Sequence, residues 1–141
     1  MKSALKTVLG IAMILAAVSA HARNDRIELP IKDALNTPDA QEVLDPGVKL
    51  VFGGGGGNVI RKNLSSRQSA NSVGKSDEAA CNRAFLNTLK QFQTRAREMN
   101  ATRVVNITTY YGNERVKSSS RFVCHAGSVI ARVTMKGDIA R

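Results

Sequence analysis

The sequence predicts an α+β fold in which one long helix packs on one face of a small antiparallel sheet and is joined to it by a disulfide. Apolar residues recur at helical spacing over Ser76–Met99, and alternating strand patterns with short connections follow that segment. The chain also holds two cysteines, one in the helical segment and one in a predicted strand. Because short connections favour antiparallel neighbours and a helix covers one face of such a sheet, these observations predict an α+β layer.

Residues 1–22 are predicted to be a secretory signal peptide that is removed from the mature chain. They hold two lysines and no acid, then the apolar run Val8–Val18 and the sequence Ala20-His21-Ala22, which fits an A-x-A cleavage site. Val18-Ser19-Ala20 is the alternative site. A run this short does not cross a hydrocarbon core, which needs roughly 20 apolar residues. We therefore expect a periplasmic or secreted protein whose mature chain has no transmembrane segment.

The mature chain is predicted to begin with an acidic, proline-containing lead segment at 23–46, followed by the α+β domain at 47–141. Within the lead segment, Thr37 and Pro38 are expected to start a short helix as its cap and first helical residue. That helix should run to about Leu44.

The first part of the domain is predicted to hold two strands and two loops. Gly47–Phe52 alternates and is β-branched, which predicts a strand, and Val59–Leu64 has the pattern of a second, short strand. Between them, the five glycines Gly53–Gly57 specify no single conformation and are expected to form a flexible loop tip. The polar segment Ser65–Lys75 is predicted to be a loop.

The helix over Ser76–Met99 is the clearest element of the sequence. Ser76 is a candidate N-cap, Asp77 and Glu78 suit the positive end of the helix dipole, and Asn100 suits a left-handed terminating position. Its apolar stripe consists of Cys81, Phe85, Leu89, Phe92, Ala96 and Met99.

Three strands are predicted after the helix, separated by turns at Gly112-Asn113 and Ala126-Gly127. The first is Arg103–Tyr111, the second is Arg121–His125, and the third alternates over Val129–Lys136. On the first strand we expect one face to carry Val105, Ile107, Thr109 and Tyr111.

Cys81 and Cys124 are predicted to form a structural disulfide. Thiols of exported proteins normally oxidise, and both cysteines fall on faces that point into the interface between helix and sheet. In the chain-entropy model, closing a loop of about 44 residues is worth roughly 4 kcal/mol. A redox or metal pair is the competing interpretation, but there is no C-x-x-C motif and too few histidines for a closed zinc site.

Charge is unevenly distributed along the mature chain. Residues 23–141 carry 19 basic and 11 acidic side chains, but the net charge is −3 over 23–46 and +11 over 47–141. One interpretation is a solvated basic surface with the acidic segment lying across it. The other is a cationic face for an anionic partner such as lipid phosphate or polysaccharide. The predicted anion- or partner-binding residues are Arg83, Lys90 and Arg97 on the helix and Arg121, His125 and Arg132 on the outer strand face.

Nucleic-acid binding and ATP chemistry are not expected. The chain has only six aromatic residues, whereas single-strand binders interleave basic residues with aromatic platforms. Gly74-Lys75-Ser76 has the ending of a phosphate-binding P-loop, but Ser69 stands where the pattern needs glycine. The glycine run also lacks the context of a dinucleotide-binding motif.

No catalytic residues, metal or cofactor are predicted. No Ser/His/Asp arrangement or carboxylate pair stands out, and His125 lacks an obvious catalytic partner. A pocket that joined His125 to an acid such as Glu114 or Asp138 would revive an enzymatic interpretation.

Several motifs carry a resemblance to known families. They are the segment Ser76–Leu86 (SDEAACNRAFL), Arg95-Ala96-Arg97, Val104-Val105-Asn106-Ile107, Tyr110-Tyr111, Cys124-His125-Ala126-Gly127 and Lys136-Gly137-Asp138. The pattern resembles small exported proteobacterial proteins that are often labelled "excinuclease ATPase subunit". That label implies DNA-repair ATPase chemistry, which the predicted export signal and the incomplete P-loop contradict.

More remotely, the arrangement is similar to the Rcs envelope-stress sensor lipoprotein, with Cys81 and Cys124 near two of that family's four cysteines. This resemblance implies a disulfide-stapled α+β domain without enzymatic activity that signals through protein partners.

Our leading functional hypothesis is a non-catalytic exported binding or envelope-sensor module with an envelope protein as its partner. The alternative is an envelope anion-binding protein that recognises phosphate-bearing lipid or polysaccharide through a basic face. Ionic strength distinguishes the two, because salt weakens anion binding far more than it weakens a packed protein interface.

Overall fold

A computed structural model of the chain describes residues 23–141, and the predicted signal peptide at 1–22 lies outside the described residues. The strands are β1 (Asp25–Pro30), β2 (Lys49–Phe52), β3 (Val59–Asn71), β4 (Arg103–Tyr111), β5 (Glu114–Val116), β6 (Arg121–Ala126) and β7 (Ile130–Ala140). The helices are α1 (Ile31–Leu35), α2 (Pro38–Val43) and α3 (Asp77–Glu98).

The long strand β7 organises a seven-stranded sheet. One edge of β7 pairs with β3, and its other edge pairs first with β6 and then with β4. The sheet continues from β6 to β1 and from β4 to β2, and β5 forms a hairpin with β4. Among residues 23–141, every strand pair is antiparallel except β2–β4, which is parallel. The α+β fold class and its mostly antiparallel sheet are therefore confirmed.

The helix α3 covers one face of this sheet, as the sequence predicted. Ser76 caps it by accepting a hydrogen bond from the Ala79 backbone N–H at 3.1 Å, and Asn100 follows with a φ of 55°. The apolar stripe is buried from Cys81 to Ala96. At its centre the Phe85 ring stacks on Phe122 of β6, with a centroid separation of 4.0 Å.

The predicted disulfide between Cys81 and Cys124 is confirmed. It joins the first turns of α3 to β6 across a Cα–Cα distance of 5.8 Å, and both residues are fully buried. The disulfide therefore holds the N-terminal part of α3 against β6.

The predicted loop at Ser65–Lys75 is wrong, because the chain remains in β3 as far as Asn71. This segment is rich in polar side chains, but it forms a strand whose alternate residues face α3. Ser66 is one of them, and its hydroxyl hydrogen-bonds the Thr88 carbonyl at 2.8 Å and lies 2.6 Å from Gln91 Oε1. A buried serine hydroxyl whose hydrogen bonds are satisfied destabilises the core little. A polar residue can therefore occupy a core position, and a search for alternating apolar residues does not detect the strand.

The predicted face of β4 is wrong at Val105. A β-bulge at Asn106, which has a φ of 55°, adds one residue relative to β7. Val104 and Ile107 consequently share the face that packs under α3, and Val105 points to the opposite face. Regular alternation had placed Val105 and Ile107 together.

The lead segment contributes to the sheet and to the core. β1 pairs with β6 along its whole length, and Ile31 and Ala34 of α1 are buried in the core cluster. The short helix predicted to start at Thr37 and Pro38 is confirmed as α2, and the Thr37 hydroxyl accepts from the Ala40 N–H.

The glycine run after β2 lies against β4 instead of projecting as a loop tip. The Gly53 N–H donates to the Ile107 carbonyl, and the Asn106 N–H donates to the Gly54 carbonyl. Gly55 has a φ of 112°, and a Cβ there would lie 2.9 Å from Val105 Cβ. Close approach to the bulged strand thus explains why this position needs glycine.

Replacing both cysteines with alanine should lower the free energy of unfolding by about 4 kcal/mol, because the bridge restricts the unfolded chain over a separation of 43 residues. Urea denaturation followed by circular dichroism measures the difference. The native sequence unfolded under reducing conditions is the control, since it loses the cross-link but keeps the side chains. An unchanged unfolding midpoint in both samples would contradict the role of the bridge.

Candidate functional site

The six predicted binding residues fall into two groups on opposite sides of the molecule. Arg83, Lys90 and Arg97 lie on α3, which covers one face of the sheet. Arg121, His125 and Arg132 lie on strands β6 and β7, at positions that alternate with the core residues beneath α3. They therefore belong to the opposite sheet face, and the structure does not bring the two groups together.

Acids of the lead segment pair with two of the three cations in the helix group. Arg83 Nη1 lies 3.5 Å from Asp39 Oδ2. Arg97 forms a bidentate salt bridge with Asp45, in which Arg97 Nη2 is 2.8 Å from Asp45 Oδ1. Lys90 is exposed between them. The acidic segment thus lies across this basic surface.

Asp45 is held rigidly in place for its pairing with Arg97. The buried Gln93 side chain accepts from the Asp45 N–H at 2.8 Å and donates to the Asp45 carbonyl at 2.9 Å, and the Gly47 N–H donates to the carboxylate. Hydrogen bonds from Arg97 and then from the Gly47 backbone lower the pKa of Asp45 well below its ordinary value. Arg97 is therefore engaged in a structural contact.

The second group belongs to a larger cationic surface, which we call the outer sheet face. It is formed by the strand residues that point away from α3, as shown by their register opposite Arg132, Thr134 and Lys136 of β7. Its basic residues are Arg26, Arg67, Arg115, Arg121, Arg132 and Lys136, with His125 among them.

Most of these cations have no carboxylate partner among residues 23–141. Arg26 pairs with Glu28 at 3.4 Å, but no salt bridge forms to Arg67, Arg115, Arg132 or Lys136 within the part of the chain that the structure describes. The other acid on this face, Asp138, is occupied by hydrogen bonds. These four cations of the outer sheet face therefore have no carboxylate partner within residues 23–141.

One end of the outer sheet face holds a groove of about 520 Å³, the His125 groove, lined by Arg67, His125, Ile130, Arg132 and Thr134 among others. The His125 ring stacks on Tyr111 at 4.3 Å, and its Nδ1 lies 3.2 Å from Asn24 Oδ1. Burial lowers the pKa of His125, a hydrogen bond with the Tyr110 backbone partly offsets this, and the positive charges of Arg132 and Arg67 lower the pKa further. These surroundings therefore favour the uncharged form of the imidazole.

A smaller pocket of about 210 Å³, the Asp138 pocket, lies further along β7. Both oxygens of Asp138 accept hydrogen bonds, from the Asn63 N–H at 2.9 Å and from Asn106 Nδ2 at 2.8 Å. Asn63 and Asn106 both have a φ of 55° and both lie at irregularities of the strand pairing, so one carboxylate stabilises both distortions. The cations that line the pocket are Arg115, Lys117 and Lys136.

A cavity shared by His125 and either Glu114 or Asp138 would indicate acid–base catalysis, but the described residues do not form one. His125 lines one cavity and Asp138 lines another, and Glu114 lines neither of the two. Over residues 23–141 there is also no group of three His, Cys, Asp or Glu side chains that could hold a metal ion. The two cavities of the outer sheet face present guanidinium, ammonium and hydroxyl groups, which donate hydrogen bonds to anions.

Sequence reasoning missed Arg67, Arg115 and Lys136 as members of the surface. Arg67 was assigned to a loop, and Arg115 lies on the short strand β5, which was not predicted. The alternation of Ser66, Gln68 and Ala70 with Arg67 and Ser69 was the available signal for β3.

Comparisons with protein-family models, with curated proteins and with solved structures yield no match to this chain. The family resemblances inferred from the motifs therefore stay predictions. Within the described residues, no helix has the length and apolarity that crossing a membrane requires.

The variant Asp45→Asn should unfold more easily than the native protein at pH 7, because the Arg97 pair and the Gly47 N–H stabilise the charged carboxylate. The pKa of Asp45 is lowered in the folded state, so this stabilisation is fully present above the unfolded-state pKa of about 3.9 and is lost as the pH falls below it.

Thermal denaturation of the native and D45N proteins from pH 7 down to pH 2 measures this. The two melting temperatures should differ at pH 5–7 and converge in acid. Glu42→Gln is the matched control, since Glu42 is exposed and forms no ion pair within 23–141. A difference between native and D45N that is independent of pH would contradict the ion-pair explanation.

Proposed function

We propose that the protein is an exported, non-catalytic anion-binding module of the cell envelope, which binds a phosphate-bearing ligand on its outer sheet face. The observation that carries the proposal is the contrast between two basic surfaces of one chain. Carboxylates of the lead segment pair with Arg83 and Arg97, whereas Arg67, Arg115, Arg132 and Lys136 lack such partners among the described residues. Positive charge left unpaired on a rigid sheet attracts and orients an anion.

The shape and polarity of this face agree with such a ligand. The His125 groove and the Asp138 pocket both combine cations with hydroxyl groups, which are suited to phosphate oxygens. Thr134 lines the first cavity, and Thr108 and Tyr110 line the second. The buried disulfide is compatible with an oxidising compartment, where we place the protein.

The envelope-sensor hypothesis remains the second candidate, with an envelope protein as partner. It is favoured by the surface cluster in which Arg26 lies over the Tyr111 ring at 5.7 Å and Tyr111 stacks on His125. Arginine and tyrosine are the residues most often found at the centres of protein interfaces. Such an interface would resist salt, whereas phosphate binding would weaken steeply as the ionic strength rises.

The double charge reversal R67E/R115E should reduce affinity for inorganic polyphosphate by at least about tenfold, because it inverts one exposed cation near each cavity. Isothermal titration calorimetry of the mature protein at low and high salt provides the measurement. The matched control is K90E/R95E, which changes the net charge equally but lies on the exposed side of α3. An equal loss of polyphosphate affinity in the two variants would show that net charge alone determines binding, and it would overturn the proposal.

Binding of polyphosphate should raise the pKa of His125, because a nearby anion stabilises the imidazolium that Arg132, Arg67 and burial disfavour. A nuclear magnetic resonance titration of the imidazole between pH 5 and 8 measures the shift. The assignment is unambiguous, since the other histidine of the chain, His21, belongs to the predicted signal peptide. Calorimetric binding without any change in the His125 titration would place the ligand outside the His125 groove.

A further inference from the structure

The large exposed apolar side chains of residues 23–141 lie together at one end of the sheet. They are Val73, Val129 and Ile130, which are 61%, 65% and 42% exposed. The Ser72 N–H donates to the Val129 carbonyl at 2.9 Å, which places the loop between β3 and α3 beside the β6–β7 hairpin. We call the three residues the apolar tip.

Each of the two valines stands on a tight turn. The Lys75 N–H donates to the Ser72 carbonyl and Gly74 has a φ of 72°, so Val73 occupies the first corner of the turn. In the hairpin, the Gly127 N–H donates to the Ile130 carbonyl and Val129 lies within the enclosed loop. Turns in water favour polar residues, so these two adjacent turns expose valines where polar side chains are usual.

Cations surround the apolar tip on the outer sheet face. Ile130 lines the His125 groove together with Arg67 and Arg132, and Lys75 is exposed in the turn that carries Val73. The acids nearby are largely engaged, because Arg23 pairs with both Asp25 and Asp77 at distances of 2.7–2.8 Å. Glu78 lies on the other side, in a cavity that it shares with residues of α2.

We propose that the apolar tip inserts into the surface of a bilayer containing anionic phospholipid, with a lipid phosphate seated in the adjoining His125 groove. This inference rests on the proposed anion-binding function and specifies its ligand. The combination of aliphatic residues at loop apices with flanking cations fits the two chemistries of a membrane surface, since the valines reach the acyl boundary while the guanidinium groups contact phosphate. A soluble polyanion would use only the cations.

The chain contains no tryptophan, so a single introduced indole reports its own surroundings. In the mature V129W variant, mixed vesicles of phosphatidylglycerol and phosphatidylcholine should shift the fluorescence emission to shorter wavelength and protect the indole from an aqueous quencher. Vesicles of phosphatidylcholine alone should do neither. The matched control is T94W on the exposed side of α3, whose emission should not change.

Removing the apolar groups should weaken vesicle binding and leave polyphosphate binding unchanged. In V73S/V129S the loss on mixed vesicles should be at least about tenfold, measured by co-sedimentation. Both positions are exposed turn residues, so the fold should be retained, and circular dichroism verifies this.

Each of the following results would overturn the inference. Vesicle binding by V73S/V129S equal to that of the native protein would exclude insertion, as would equal responses of V129W and T94W. A concentration-dependent emission shift of V129W without vesicles would identify a second copy of the chain as the partner of the tip. Polyphosphate binding without vesicle binding would remove the membrane inference and keep the proposed function, whereas loss of both would remove both.

Discussion

Packing of the α3 stripe against one face of the sheet is the contact on which the rest of this structure depends. The stripe buries Phe85, Leu89 and Phe92, and Phe85 stacks on Phe122 close to the point where the disulfide joins the helix to β6. Burial of an aromatic or leucine side chain contributes about 1.5–3 kcal/mol, so this single interface accounts for much of the core. Because α3 covers one face, the polar strand residues of the described chain that alternate with the core lie on the other face.

That division determines where the charge of the protein can act. The lead segment adds β1 to the sheet edge and then runs alongside α3, where its carboxylates reach Arg83 and Arg97. Within residues 23–141 no comparable acidic segment crosses the outer sheet face, so its cations remain available. Two of the three cations predicted on the helix are thus paired with acids, whereas the strands form a cationic surface whose arginines and lysine largely lack such partners among residues 23–141.

Irregular strand pairing shapes this surface. The bulge at Asn106 and the distorted pairing near Asn63 both lie beside Asp138, whose carboxylate holds the two segments, and a pocket lined by cations opens there. At the opposite end of β7, the His125 groove adjoins the apolar tip. The outer sheet face therefore has a polar end and an amphipathic end, and the membrane inference concerns the amphipathic end alone.

The sequence by itself determined the elements whose signals are local. The capping residue Ser76, the periodic stripe of α3 and the two cysteines predicted the helix, its buried side and its link to β6, because each depends on neighbours within a few turns or on one covalent bond. Tertiary structure alone decided the register of β4, where a bulge reverses the alternation after Val105, and the continuation of β3, where Ser66 finds hydrogen-bond partners on α3. It also decided which cations remain unpaired, since Arg97 meets Asp45 across 52 residues of sequence. Long-range pairing of charges follows from the fold, and no local pattern specifies it.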